Sequence, residues 1–177
     1  MKEMTLRSAA TASLLLLLIG GSASAQGFKV ESPHVDSIQI IEHGLYQSRV
    51  SNKIKEPDAP GGYVTDEVNI DHVQTTDIVP AELEVEFGLR YSITGGPAGA
   101  LVPITHIVHF PAPGLKDPGK AKPMMSYQSS GYLRAGSDGF DSYAFDELWE
   151  VVPGVWTFEI WSGNKKLAEQ KFTVKAE

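Results

Sequence analysis

The sequence predicts an all-β fold, an antiparallel sandwich, on three observations. The first is an unbroken alternation over residues 83–93. Leu83, Val85, Phe87, Leu89, Tyr91 and Ile93 are interleaved with Glu84, Glu86, Gly88, Arg90 and Ser92. A period of two puts one set on a dry face and the other on a wet one, whereas a helix would scatter them. The second is a hairpin near the C-terminal end. Trp156, Phe158 and Ile160 alternate with Thr157 and Glu159; Ser162, Gly163 and Asn164 make the turn; Ala168, Phe172 and Val174 return on the inward face. The third is the absence of helical periodicity beyond a turn, with dense punctuation by 17 glycines and 11 prolines.

The chain opens on a processing segment. Lys2 and Arg7 precede an apolar run over residues 9–19, then Gly20, Gly21 and the small residues Ala23, Ser24 and Ala25. This order predicts a secretory signal peptide over residues 1–25, cleaved between Ala25 and Gln26. The run falls short of the roughly 20 residues a membrane span needs. Residues 26–35 read as a flexible leader and residues 36–177 as one domain, long enough for a sizeable core.

The first strand lies within residues 36–47, where Ile38, Ile40, Ile41, Leu45 and Tyr46 change parity at Ile40-Ile41 and Gly44 interrupts. That pattern predicts a strand that bends or switches sheets. Residues 51–62, with Pro57, Pro60, Gly61 and Gly62, read as a loop. Residues 63–76 form the next strand, with Val68, Ile70 and Val73 as its apolar points, and 77–80 end it. The alternating strand at 83–93 follows. Residues 101–110 place Val102, Ile104, Val108 and Phe110 on one face, and 111–123 form a Pro/Gly/Lys loop. Residues 124–133 and 141–145 are strands joined by a turn at 134–139. Residues 147–152 cross over, as a single helical turn around Leu148, into the final hairpin. Leu167 is out of parity with Phe172, which predicts a bulge at 169–171. The count is about seven to eight strands.

A formal net charge of −7 sets nucleic acid and anionic membrane surfaces aside as partners. With no cysteine there is no disulfide, no thiol chemistry and no lipid-modified cysteine, so the expected product is soluble and exported, to the periplasm or beyond. Nothing predicts membrane insertion of the processed chain.

Sites of chemistry are sparse. His106 and His109 are three apart on a strand, so they face opposite sides and cannot share a metal ion; no metal or cofactor is predicted. His106 reads as a partly buried, hydrogen-bonded strand residue and His109 as exposed. No serine elbow occurs, and Asp138 and Asp141 with Gly136 and Gly139 read as a solvated turn rather than a calcium loop. Glu82, Glu84 and Glu86 read as a solvated sheet face. Two tryptophans are the weak binding candidates. Trp161 has outward parity in the hairpin and Trp149 sits in the crossover, and exposed tryptophan stacks on sugars or anchors partners. The plainer reading buries Trp149 at the end of the core and Trp161 under the 111–123 loop.

The stretch Pro153-Gly154-Val155-Trp156-Thr157-Phe158-Glu159-Ile160 resembles the penultimate strand of many Ig-like domains. Added to it are Glu42-His43-Gly44-Leu45-Tyr46, Ile78-Val79-Pro80-Ala81, Phe87-Gly88-Leu89-Arg90-Tyr91 and Phe145-Asp146-Glu147-Leu148-Trp149-Glu150. In that order they resemble the bacterial family of domain of unknown function 3859. The resemblance implies an exported or envelope Ig-like β-sandwich, with no assigned activity and no catalytic residues to carry over. Three functions are compatible: a non-catalytic module binding an envelope protein or glycan, a hydrolase with a carboxylate site that no motif reveals, and an assembly protein pairing through a sheet edge. A concave pocket holding perturbed carboxylates would favour the second.

Overall fold

The alternating strand and the C-terminal hairpin face one another across a sandwich, and the core between them is aromatic. The computed structural model describes residues 31–176. The predicted signal peptide, its predicted Ala25–Gln26 cleavage point and most of the predicted leader lie outside the described residues. Nine strands are described: β1 (His34–Lys55), β2 (Tyr63–Gln74), β3 (Ile78–Pro80), β4 (Glu86–Gly96), β5 (Leu101–His109), β6 (Ser126–Arg134), β7 (Asp138–Ala144), β8 (Gly154–Ser162) and β9 (Lys165–Lys175). One sheet has the order β2-β1-β4-β7, the other β3-β9-β8-β5-β6. Pairing is antiparallel except for β3, which runs parallel to β9 over three residues. This short strand is an element of its own, where the sequence predicts only the end of β2.

From β4, Phe87, Leu89, Tyr91 and Ile93 point inward and are buried. From β8 and β9 come Trp156, Phe158, Ile160, Phe172 and Val174, also buried. Phe87 is the hub: its ring centroid lies 5.6 Å from Trp156, 5.7 Å from Phe158 and 5.3 Å from Phe172. Edge-to-face contacts at these distances favour one arrangement over others. Each fully buried side chain of this size contributes roughly 1.5–3 kcal/mol by leaving water.

Several local expectations are corrected. Leu83 is exposed and outside the strand, because Glu84 takes a left-handed φ of 64° and turns the chain before β4 begins. Glu86, expected in water, is buried. The bulge expected at 169–171 falls instead opposite the Ile160/Trp161 step, where Leu167 is skipped in the register. Residues 51–55, read as loop, belong to β1 and pair with β2. The parity change at Ile40-Ile41 does mark a register shift, between Ile40 and Glu42, and β1 stays in its sheet.

β1 explains the burial of Glu86. Its first half pairs with β4, and from Leu45 onward it pairs with β2. Register shifts at 45/46, 47/49 and 50/52 bend and twist this second half. The β1–β2 arm thereby folds over the outer face of β4 and β7, where Arg90 donates to the Ile70 carbonyl at 3.5 Å. A 3-10 turn, Pro60–Gly62, forms the tip, and Gly61 and Gly62 adopt the positive φ the turn requires. The tip is fastened to the 111–123 loop. The Gly61 N–H donates to Asp117 Oδ2 at 3.0 Å, and Lys120 Nζ donates to the Pro57 carbonyl.

Candidate functional site

The turn after β6 decides where an opening can form. The Ser137 N–H donates to the Arg134 carbonyl at 3.0 Å, and this short link carries the chain from the edge of one sheet to the edge of the other. β6 and β7 are therefore edge strands on the same side of the sandwich. Under the arm they border a cleft of about 710 Å³, within the usual range of ligand sites, about 300–1,000 Å³. Its walls include residues 63–67 of β2, 127–130 of β6 and 140–144 of β7.

The lining is acidic. Glu56 and Asp58 come from the tip, Asp66 and Glu67 from β2, and Asp141 from β7. Asp146, whose Oδ2 accepts the Tyr63 hydroxyl at 3.0 Å, and Glu150 complete it, and no lysine or arginine lines the cleft. Lys53, at the rim, lies over the Tyr63 ring, 4.1 Å from its centroid.

These carboxylates differ in kind. Glu150 is structural: its Oε2 accepts the N–H groups of Asp146 and Glu147, both at 2.8 Å, and its Oε1 accepts the Tyr143 hydroxyl at 2.9 Å. It ties the turn before β8, and burial raises its pKa despite these bonds. Glu67 meets the arm's underside. The Ser142 hydroxyl lies 3.2 Å from Glu67 Oε2 and 2.9 Å from Glu86 Oε1. Burial, then the charge of Glu86, pushes Glu67 up to about 7. Through Ser142 the two glutamates join the arm to β7 and β4.

Asp141 faces inward, opposite Leu89 in the β4·β7 register. Its Oδ2 is buried with no hydrogen-bond partner among the described residues. Burial raises its pKa, and His106 opposes the rise. His106 is partly buried, as expected, and its Nε2 is 2.6 Å from the Tyr91 hydroxyl. His109 is exposed, 3.5 Å from Glu159 Oε2. Asp138 and Asp141 occupy one strand with opposite parity and share no turn. Among the described residues no cluster of three or more His, Asp or Glu side chains is placed to hold a metal ion.

The tryptophan candidates lie elsewhere. Trp149 is half-buried and packs against the aromatic core. Trp161 is half-buried too, and its Nε1–H donates to Glu159 Oε2 at 2.8 Å. It borders a separate groove of about 280 Å³ with Thr105, Ile107 and Gln128, not the 111–123 loop. Sequence spacing missed the cleft because its residues come from five separate stretches, each unremarkable alone.

Two sheets of antiparallel strands with a side cleft define an immunoglobulin-like β-sandwich. The chain belongs to the family Domain of unknown function (DUF3859), which matches residues 34–174. It is similar to an immunoglobulin-like protein from Pseudomonas aeruginosa, with a TM-score of 0.56 and 24% identity over 82% of this chain and 98% of that one. At this identity the likeness shows the fold alone. An alkylpurine DNA glycosylase from Pseudomonas fluorescens bound to DNA also matches, with a TM-score of 0.36, 13% identity, and coverage of 58% of this chain and 28% of that one. No curated protein matches the chain. Among the described residues no helix is long and apolar enough to cross a membrane.

Proposed function

We propose that the protein is a non-catalytic, exported binding module of the cell envelope, and that the arm-covered cleft is its ligand site. One observation carries this reading: the cleft of about 710 Å³ is bordered by strands of both sheets and by the arm, and its lining is acidic with no lysine or arginine. Export rests on the apolar segment and the Ala23-Ser24-Ala25 end. The test fills the cleft. Ser129 lines it, opposite His106 in the β5·β6 register, and Ser129→Trp would occupy it. Melting shifts of both proteins are compared across chito-oligosaccharides, neutral peptides and charged peptides. At least one probe class should raise the melting temperature of the wild type and not of the variant. No shift with any probe, or equal shifts in both proteins, would end this reading.

A second reading, hydrolysis with Glu67 as the acid, is favoured by its position in the cleft and its raised pKa. Against it, the carboxylate nearest in the hydrogen-bond network, Glu86, does not line the cleft and shares Ser142 with Glu67, so it does not stand across a substrate bond from it. Fluorogenic glycosides and esters cleaved by the wild type and not by Glu67→Gln would establish the enzyme.

A further inference from the structure

We propose that the cleft binds an extended polypeptide segment bearing consecutive lysine or arginine residues, which adds a strand to the free edge of β7 and sets one cationic side chain against Asp141 and the next against Glu67. This rests on the reading above that the cleft is a ligand site.

The first support is backbone. Five consecutive residues of β7, 140–144, line the cleft. In a strand, consecutive residues share a surface only along the backbone edge, because their side chains alternate between faces. β7 pairs with β4, and no described strand pairs with its other edge. An edge of unpaired N–H and C=O groups is completed by another extended chain.

The second support is charge. The lining holds carboxylates and no lysine or arginine. Asp141 Oδ2 is buried without a partner, an arrangement that costs free energy until a donor arrives. Its ionisable neighbours do not supply one: His106 on β5 is bonded to Tyr91 on β4. Glu67 faces Glu86 of β4 through Ser142, a like charge. An arriving ammonium or guanidinium satisfies either place, and a charge-assisted bond there is stronger than a neutral one.

The third support is spacing. Asp141 points to the inner side of β7, while Ser142, with Glu67 beside it, points to the outer side. Successive side chains of an added strand alternate in the same way and meet one carboxylate and then the other. Burial raises Glu67 to about 7 and an arriving cation lowers it, so binding there is accompanied by proton release.

The test is titration calorimetry on the protein with capped synthetic heptapeptides. One carries two consecutive lysines at its centre flanked by valines, a second carries glutamate in place of lysine, a third serine, and a fourth is the lysine peptide with alternate backbone nitrogens methylated. Spermidine is the polycation control. The lysine peptide should bind, and tighten as pH rises through 7. It should bind at least about tenfold more weakly to Asp141→Asn and Glu67→Gln, with circular dichroism verifying their fold. The glutamate and methylated peptides should not bind. These peptide changes leave the protein untouched, so the result does not hang on a variant folding. If the serine peptide, the methylated peptide or spermidine binds as tightly as the lysine peptide, the inference is overturned while the cleft remains a ligand site. If none of the peptides binds but an oligosaccharide shifts only the protein without the Ser129→Trp block, the inference alone falls. If no probe of any class binds, both readings fall.

Discussion

The hydroxyl of Tyr91 on β4 lies 2.6 Å from Nε2 of His106 on β5, so a hydrogen bond joins the two sheets inside the core. Tyr91 is fully buried, and removing its hydroxyl leaves the imidazole without this partner. Tyr91→Phe should therefore lower stability by about 1–2 kcal/mol, read as a drop in the urea midpoint at unchanged slope. An unchanged midpoint would mean that the bond contributes nothing net.

The same ring explains Gly139. A Cβ there would lie 2.3 Å from Cζ of Tyr91 and 2.4 Å from its hydroxyl oxygen. Gly139→Ala should destabilise by about 1–3 kcal/mol through overpacking. In Tyr91→Phe it should cost less, because one clashing atom has gone. A double-mutant cycle measures that coupling.

Glu150 satisfies three donors at once. Glu150→Ala should cost about 2–4 kcal/mol, because two backbone N–H groups and the Tyr143 hydroxyl lose their acceptor. Amide hydrogen exchange at Asp146 and Glu147 should accelerate most, ahead of any global change. Uniform acceleration would deny Glu150 its local role.

Glu67 gives the pH dependence a sign. Its folded pKa is raised from 4.5 to about 7, so between those values the folded chain holds a proton that the unfolded chain has lost. Stability from this group is fully present below pH 4.5 and is lost as pH rises through 7. Glu67→Gln cannot ionise. Compared with the wild type it should gain in relative stability from pH 5 to pH 8, as urea unfolding at the two values will show. A constant difference would place the proton elsewhere.

The tryptophans should separate cleanly. Trp156 is fully buried and its Nε1–H donates to the Val152 carbonyl at 3.0 Å; Trp156→Ala should cost about 3–5 kcal/mol. Trp161→Ala should cost about 1 kcal/mol or less, since its ring is half-buried on the outer face. It should leave binding in the cleft unchanged. A ligand lost on Trp161→Ala and kept on Ser129→Trp would move the site to the smaller groove.

Alternation made the core legible. Phe87, Leu89, Tyr91 and Ile93 face Trp156, Phe158 and Phe172 because a two-residue period has one physical solution when one side must be dry. Glu86 shows where that reasoning stops. Periodicity says which residues share a face, and it is blind to an arm arriving from residues 45–74 to cover the polar side. Residues 51–55 look like loop because both their faces meet water, yet backbone pairing alone keeps them in a strand. The cleft was illegible for a related reason. Glu67, His106, Ser129 and Asp141 become neighbours only through the turn at 134–137 and the bend in β1, and neither leaves a spacing signal. Trp149 and Trp161 stand out by residue type alone; the first packs against the aromatic core and the second donates to Glu159.

β1 runs through two regimes of stability. Its first half pairs with β4 against the core, while residues 49–55 are exposed and pair with β2 alone. Such a segment opens at far lower free energy than the sheets behind it. The roof of the cleft can therefore lift, or be clipped by a protease near the tip, without unfolding the sandwich. The cleft and the core are separable in this molecule: a population can lose the cleft's roof while every measure of the aromatic core reports an intact protein.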